Sequence, residues 1–505
     1  MIQIQAPRAL AAAPLADRTA IVVAGVLLLV AARLVTAAFL EIGPDETYYL
    51  LWSRSLSAGY YDHPPMVAWW IAASTAIFGH TAFGIRALFA LSAIPVSLAV
   101  YAAGRALFDR DIAARAVLWT NATLLIAAGG LLATPDAPAV LFWALATWAF
   151  AEVVRTGRGE WWLAVGLFAG LGIISKLTDL FLGPGILLCL AVNRDLRRWF
   201  VSPWLWAGGA VAALICVPML LWNAGHDWVT LTKQFGRINT GVFQPEKFPE
   251  FIVTQFAVLN PLVAIFAGLA ILIWVRGRPP AASARIGLVM WTVLPIVLYM
   301  AAHSFHEQIQ GHWLAPIFPT LGLAASAAAS AGGERWAPLA RLVFPLGFAL
   351  ALVAFVAAVN PGGAIPYTLD VAQVNRGWER MATDAEALRR KFDAGWIATT
   401  HYAVGAELDY HLHASGTPVV TIVERQRYAF APTPDMKLLT LPALIVTEVR
   451  TADSLARCFA EVRPVGAILR QSGGDTIETY YAYLATGAAQ GIFAPGCDRL
   501  SGPPR

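Results

Sequence analysis

Two adjacent carboxylates, Asp45 and Glu46, directly follow the first long apolar segment of the chain. At a membrane boundary, one carboxylate can serve as a general base towards a hydroxyl or amine, while the other orients a substrate or holds a cation. Acidic residues also suit the N-terminus of any helix, because they interact favourably with its dipole. The pair is therefore a candidate catalytic site, with an ordinary helix start as the alternative.

A dense set of polar and aromatic side chains follows the acidic pair. It includes Tyr48, Tyr61, Asp62 and His63, and two prolines after His63 restrict the backbone around it. Such a loop holds a histidine at a fixed angle and offers hydroxyl and carboxylate groups to a polar substrate. We therefore include these four residues among the candidate binding positions.

Two further charged residues stand between strongly apolar segments. Asp136 is flanked by prolines, and an Asp near Pro also suits a turn or a helix N-cap. Lys176 follows a long apolar run, where it can pair with Asp136 or Asp179, or bind a phosphate. We take Asp136 as a second candidate acid and Lys176 as a candidate phosphate ligand.

Two later polar loops complete the candidate set. The first contains His226, Gln234 and Arg237, and the second contains His312 and Trp313. The spacing of the histidines in the second loop matches no zinc-ligand signature. No metal site and no cofactor are predicted, although a divalent cation is compatible with the chemistry without being required.

The composition indicates that membrane helices position these residues. Hydrophobic residues make up 58% of the 505 residues and charged residues only 13%, against roughly 25% charged residues in soluble proteins. Lengths of roughly 17–25 apolar residues are expected for a helix that crosses a bilayer. We predict about eleven transmembrane helices, at approximately 19–40, 82–106, 112–131, 138–154, 160–175, 177–192, 202–222, 251–275, 284–303, 313–331 and 339–360.

The distribution of Lys and Arg predicts how these helices are oriented. The basic residues of the connecting loops sort to one side, which is the cytoplasmic side by the positive-inside rule. The N-terminus is then cytoplasmic, and all the candidate residues lie on the outer face. Met66–Phe78 is apolar but short, so we interpret it as an interfacial or re-entrant helix. Arg33, inside the first helix, is interpreted as a snorkelling or salt-bridged structural residue.

The C-terminal region, residues 361–505, has a different pattern from the first 360. Helices are predicted at Asn375–Phe392 and Tyr402–Leu412, and alternating strands and helices favour a small α/β domain. Cys458 and Cys497 lie in this region and form either a disulfide or two free buried thiols. The predicted strands are Trp396–Thr400, Pro418–Val423, Ala443–Thr447 and Ala467–Leu469.

Several of these motifs together resemble one family of membrane enzymes. The acidic pair in Pro44–Tyr49 and the loop Tyr60–Pro65 carry most of the resemblance, with weaker support from Thr134–Asp136, Ser175-Lys176, Asn223–Gln234 and Gly311–Trp313. The chain resembles bacterial GT-C glycosyltransferases of the protein-mannosyltransferase and aminoarabinose-transferase kind. The resemblance implies a mainly α-helical polytopic membrane protein with a small periplasmic C-terminal α/β domain.

The resemblance also implies roles for individual residues. Asp45 matches the acid that family members use at the reaction centre, as general base for the acceptor. Glu46 is then expected to support Asp45 or position the acceptor, and Asp136 matches a second acidic position. His63 stands where relatives have a phosphate-contacting lysine, so Lys176 or Arg237 is expected to supply that charge.

The implied activity is inverting transfer of a sugar from a polyprenyl-phosphate donor. The acceptor is lipid A, another glycolipid, a polysaccharide or a protein, and the reaction takes place on the periplasmic face of the bacterial inner membrane. No basic run with interleaved aromatic residues points to a nucleic-acid partner. The alternatives are a flippase or transporter of a lipid-linked or anionic solute, and a binding subunit without catalysis.

Overall fold

Apolar α-helices build the first 360 residues of the protein. The computed structural model describes residues 15–236, 242–360, 371–450 and 454–500. The helices before the central gap are α1 (Leu15–Phe39), α2 (Pro44–Arg54), α3 (Met66–Phe78), α4 (Ala82–Leu91), α5 (Ala93–Leu107), α6 (Arg110–Asn121), α7 (Leu124–Ala127), α8 (Asp136–Thr156), α9 (Trp161–Ile173), α10 (Leu182–Val192), α11 (Pro203–Ala224) and α12 (Val229–Gly236).

Five more helices follow that gap in the membrane part of the chain. They are α13 (Lys247–Val258), α14 (Pro261–Arg276), α15 (Pro280–His303), α16 (Phe318–Ala331) and α17 (Ala337–Val359). Short 3₁₀ helices connect several of them, at Gly129–Leu131, Leu177–Phe181, Arg194–Val201, Gly311–Ile317 and Glu334–Trp336.

The number of membrane spans differs from the predicted eleven. Among the described residues, seven helices are long and apolar enough to cross a membrane, or up to ten if each bent helix pair counts as one span. The predicted segment 160–175 is the 13-residue helix α9, about 20 Å long at 1.5 Å per residue. That length falls short of a hydrocarbon core of roughly 30 Å, so α9 is not counted among the ten.

Two segments predicted as single spans are broken helices. α6 and the segment Leu124–Leu131 meet at 70°, and α13 and α14 meet at 112°. The second break has a local cause, because Pro261 has no N–H to continue α13 and Asn260 caps the N-terminus of α14. The residues that follow the first break line the cavity described below.

Glycines bring the helices into close contact. Gly166 of α9 packs on Gly208 of α11, where an added Cβ would lie 1.9 Å from the Gly208 carbonyl oxygen. Such close approach is typical of helix pairs in membranes, where small residues replace the hydrophobic effect as the basis of association. A larger side chain at Gly166 would push the two helices apart.

The C-terminal region folds as the predicted small α/β domain. The elements of this domain are α18 (Trp378–Lys391), α19 (Tyr402–Leu412), β1 (Trp396–Thr399), β2 (Val419–Thr421), β3 (Ala443–Thr447), β4 (Phe459–Ser472) and β5 (Asp475–Ala488). The sheet has the strand order β2-β1-β3-β5-β4, with β1 parallel to β2 and β3 and with β5 antiparallel to β3 and β4. A disulfide joins Cys458 to Cys497, which decides between the two alternatives for these thiols.

Helix α19 of this domain docks on α2, the helix that carries the acidic pair. A shared apolar cluster at the contact includes Tyr48 and Trp52 of α2 with Ala406 of α19. An ion pair of 2.6 Å between Arg54 and Asp409 closes the edge of this contact. The C-terminal domain therefore lies directly over the candidate site.

Candidate active site

A cavity of about 540 Å³ opens between the membrane helices and the C-terminal domain. Its wall contains residues that lie far apart in the chain, from Arg33 of α1 to Arg427 of the C-terminal domain. Nine of the predicted site residues line this cavity, namely Asp45, Tyr48, Asp62, His63, Asp136, Lys176, Gln234, His312 and Trp313.

Asp45 lies in the first turn of α2, which begins with Pro44 at a position where the missing N–H costs nothing. Its carboxylate is accessible from the cavity, and the Tyr402 hydroxyl of the C-terminal domain donates a hydrogen bond to its Oδ1 at 3.2 Å. The surrounding protein raises the pKa of the Asp45 carboxyl by desolvation, and the bond from Tyr402 opposes that shift. A carboxylate with a raised pKa is a stronger base towards a hydroxyl.

The Tyr402 bond can be tested through the pH dependence of activity. Tyr402→Phe removes a donor that favours the charged carboxylate, so the pKa of Asp45 should rise further. The acid limb of kcat/KM should then move to higher pH while the plateau changes less. A pH profile of sugar transfer measures this shift. If the acid limb stays at the wild-type pH, the Tyr402 hydrogen bond does not control the pKa of Asp45. Tyr481→Phe, in β5 outside the cavity, is the matched control.

Glu46 points away from the cavity and forms a buried ion pair with Arg86. The guanidinium donates from Nε to Oε1 at 2.7 Å and from Nη2 to Oε2, and the backbone N–H groups of Gly43 and Ala133 also donate to this carboxylate. Because both oxygens are occupied, Glu46 has no free position for an acceptor. These contacts fix the start of α2 against α4, so we propose a structural role for Glu46 in place of acceptor positioning.

The loss of this ion pair should destabilise the protein. Glu46→Gln replaces the carboxylate by a neutral amide, so the buried Arg86 guanidinium loses its anionic partner. Breaking a buried ion pair in this way lowers the free energy of unfolding by roughly 3–5 kcal/mol. Thermal unfolding in detergent should show a clear decrease in stability. Glu250→Gln removes a half-exposed carboxylate paired with Lys247 and should change stability by less than about 1 kcal/mol. Equal effects of the two changes would contradict the structural role.

Asp62 is the centre of a charge cluster at the rim. Lys233 and Arg427 both pair with its carboxylate, the latter from Nη1 at 2.6 Å to each oxygen, and Tyr48 donates to Oδ2 at 3.0 Å. Burial alone would raise the pKa of Asp62, but the two cations outweigh it and the pKa is lowered. Arg427 also pairs with Glu424 at 2.7 Å, so the two cations of this cluster are formally balanced by two carboxylates, which hold them in place at the cavity rim.

Arg427 links this cluster to Asp45. Its guanidinium lies over the rings of Tyr61 and Tyr402, with its Cζ 5.0 Å and 4.6 Å from the ring centroids. Tyr402 in turn bonds Asp45. The C-terminal domain therefore contributes a cation and a hydroxyl to the cavity, in contact with residues of the first outer loop.

Lys176 pairs with Asp136, at 2.6 Å from Nζ to Oδ1, and also donates to the His312 carbonyl at 3.2 Å. Of the two partners considered from the sequence, the structure thus selects Asp136. Asp179 is buried, with no hydrogen-bond partner for its carboxylate among the described residues.

The His63 side chain lies in the cavity wall beside Tyr49. Burial lowers the pKa of His63 to about 4, so its imidazole is neutral at pH 7. A neutral histidine binds a phosphate oxygen only as a hydrogen-bond donor and adds no charge. The charge at this end of the cavity comes instead from Lys176, Lys233 and Arg427.

Residues 62–222 match the family model described as dolichyl-phosphate-mannose-protein mannosyltransferase. Over 280 residues the chain is 28% identical to the lipid A galacturonosyltransferase RgtD of Rhizobium johnstonii, a match that covers 53% of this chain and 56% of that protein. It is 31% identical over 198 residues to the undecaprenyl phosphate-alpha-4-amino-4-deoxy-L-arabinose arabinosyl transferase of Pseudomonas aeruginosa, covering 35% and 36%. The matched regions thus span about half or less of these curated relatives.

The fold agrees over nearly the whole chain with ArnT from Cupriavidus metallidurans. The apo structure of that protein superposes with a TM-score of 0.66 at 17% identity, covering 95% of this chain and 100% of the other. Its undecaprenyl phosphate complex gives a TM-score of 0.64. The resemblance to bacterial GT-C glycosyltransferases therefore extends to the fold. The protein is a multi-pass membrane protein with a GT-C fold and a small C-terminal sheet domain.

Three of the residues expected in the GT-C site lie outside the cavity wall. Glu46 is the buried partner of Arg86, and Tyr61 lies behind the wall, under Lys233 and Arg427. His226 stacks on Trp222 of α11 at 4.0 Å and bonds its carbonyl, so it serves the local turn. Arg237 lies outside the described residues.

Sequence reasoning missed Tyr402 and Arg427, and left Lys233 unassigned. No local pattern marks the first two, because their partners lie more than 350 positions earlier in the chain.

In the described residues, no group of three or more His, Cys, Asp and Glu side chains is arranged to hold a metal ion.

Proposed function

We propose that this protein is an inverting membrane glycosyltransferase that moves a sugar from a polyprenyl-phosphate donor to an acceptor of the cell envelope. The observation that carries this proposal is the cavity itself. It places an accessible carboxylate, Asp45, in the same small space as three cations, Lys176, Lys233 and Arg427. A base and a cationic anion site are the two requirements for displacement of a lipid phosphate from a sugar.

The reaction proceeds as one displacement at the anomeric carbon. Asp45 takes the proton of the acceptor hydroxyl, whose oxygen forms the new glycosidic bond as the bond to the donor phosphate oxygen breaks. The electron pair of that bond leaves with the polyprenyl phosphate, which gains negative charge. The cations near Asp62 and Asp136 stabilise this charge, and a single in-line displacement inverts the anomeric configuration.

The relatives indicate which donors and acceptors to test. One curated relative is a lipid A galacturonosyltransferase, another transfers an aminoarabinose from undecaprenyl phosphate, and a protein with the same fold is known bound to undecaprenyl phosphate. We infer a polyprenyl-phosphate sugar as donor and lipid A, another glycolipid, a polysaccharide or a protein as acceptor.

Purified protein in proteoliposomes provides the direct test. Polyprenyl-phosphate donors carrying galacturonate, aminoarabinose or a neutral hexose are supplied with lipid A, and the products are analysed by mass spectrometry. The proposal expects a lipid A species heavier by one sugar residue and release of polyprenyl phosphate. Movement of the donor across the bilayer without any glycosidic product would instead favour a transporter.

We further propose that the N-terminus is cytoplasmic and that the C-terminal domain and the cavity face the periplasm of the inner membrane. The placement of Lys and Arg supports this topology, as does the disulfide between Cys458 and Cys497, because disulfides persist in oxidising compartments.

Thiol labelling of the protein expressed in cells should report this placement. A membrane-impermeant maleimide should not label Cys458 or Cys497 in intact spheroplasts until a reductant is added. A variant lacking the buried Cys189 and Cys216 makes the signal specific for this pair. Labelling only after the membrane is permeabilised would contradict the periplasmic placement, and labelling of intact spheroplasts without reductant would contradict the disulfide.

A further inference from the structure

Arg33 is a buried cation in the wall of the cavity, within the first membrane helix. It lies six residues before the end of α1, about 9 Å along the helix axis at 1.5 Å per residue, and its exposed fraction is 1%. In the part of the chain that the structure describes, no carboxylate pairs with it. Its Nε donates to the Ala127 carbonyl at 2.8 Å, and its Nη2 donates to the Ile126 carbonyl.

These two bonds leave part of the guanidinium uncommitted. A guanidinium carries five N–H donors, and backbone carbonyls satisfy hydrogen bonds without neutralising its charge. Charged residues inside membrane helices are costly, and they commonly mark substrate or ion sites. The other cations of the cavity differ from Arg33, because Lys176, Lys233 and Arg427 each have a carboxylate partner.

The space beside the guanidinium is empty because two glycines lie there. Gly129 and Gly130 line the cavity, and an added Cβ on Gly130 would lie 3.6 Å from the Arg33 Cζ and 3.7 Å from both terminal nitrogens. The break between α6 and the segment Leu124–Leu131 brings these glycines next to α1. A cation without a counter-charge therefore borders a gap within the cavity.

We propose that Arg33 binds the carboxylate of a uronic acid, so that the sugar transferred is an acidic one. This inference rests on the proposed function. A carboxylate matches the planar fork of a guanidinium with two parallel hydrogen bonds, and it supplies the charge that Arg33 lacks. An aminosugar such as aminoarabinose carries a positive charge at pH 7 and would be repelled. The donor phosphate is bound by the separate cations near Asp62 and Asp136, namely Lys176, Lys233 and Arg427.

Two donors that differ only at C6 test this assignment in proteoliposomes: a polyprenyl-phosphate uronate and the matching neutral hexose. Wild type should prefer the uronate in kcat/KM. Arg33→Gln should lower the uronate-to-hexose ratio roughly 10- to 100-fold, the range for one hydrogen bond to a charged group, and Arg33→Lys should restore part of it. Gly130→Leu should lower the same ratio by filling the gap without removing the charge.

Gly209→Leu is the matched control, because an added Cβ there meets nothing within 4 Å and the residue lies outside the cavity wall.

Polyprenyl phosphate alone is the second probe, and Arg33→Gln should bind it as wild type does. Weaker binding of that lipid would assign Arg33 to the phosphate, and equal loss with both donors would make it structural; either result overturns the inference. If wild type transfers hexose as well as uronate, this inference fails while the proposed function stands. If wild type transfers no sugar, both fail.

Discussion

Asp45→Asn is expected to lower kcat for sugar transfer by roughly 100- to 10,000-fold, the usual contribution of a general base. Asparagine keeps the size of the side chain and can still accept a hydrogen bond from Tyr402, which lies 3.2 Å away. It cannot take the acceptor proton at neutral pH. Folding and donor binding should therefore remain close to wild type, while the chemical step slows.

This prediction is measured by transfer in proteoliposomes together with binding of polyprenyl phosphate and thermal unfolding. Asp384→Asn makes the same chemical change on an exposed position of α18, outside the cavity, and should leave all three unchanged. Turnover by Asp45→Asn at a rate near wild type would exclude Asp45 as the base. Lost binding and lower stability would mean that its role is structural.

The predicted site residues that line the cavity all come from the first 360 positions, and they could be predicted because each stands in a recognisable local sequence pattern. Pro44 and the acidic pair mark a helix start, and the structure begins α2 there. A lysine and an aspartate isolated among apolar residues need a partner, and Lys176 and Asp136 are each other's. The local pattern does not show which of the two carboxylates faces the cavity. That depends on Arg86, forty positions later in the chain, which binds Glu46 and not Asp45.

The C-terminal contribution was not predictable in the same way. Arg427 and Tyr402 are unremarkable in their own sequence neighbourhood, and they become site residues only because α19 docks on α2. The hairpin of β4 and β5 shows a related limit. Only Ala467–Leu469 was predicted there, although Gly473 and Gly474, both with positive φ, form the two-residue turn between 14-residue strands.

Arg427→Gln is expected to disable transfer, because one substitution removes four interactions at the rim. The guanidinium bonds both oxygens of Asp62 and pairs with Glu424. It also lies over the rings of Tyr61 and Tyr402, and Tyr402 bonds Asp45. Its loss leaves Lys233 against both Asp62 and Glu424, so the rim becomes net negative and disfavours a phosphate, and Tyr402 is free to move. We expect kcat/KM to fall about 100-fold or more, in the range reported for removal of one preorganised electrostatic group.

Arg427→Lys separates charge from geometry in this prediction. Lysine keeps the cation but not the planar guanidinium, which bonds Asp62 and Glu424 from separate nitrogens and stacks on two rings. If the rim acts only through charge, Arg427→Lys should recover most of the activity; if it also positions Tyr402, the acid limb of the pH profile should shift as in Tyr402→Phe. Arg463→Gln, an exposed arginine on β4, controls for the loss of one charge from the domain. Near wild-type transfer by Arg427→Gln would show that the C-terminal domain covers the site without taking part in it.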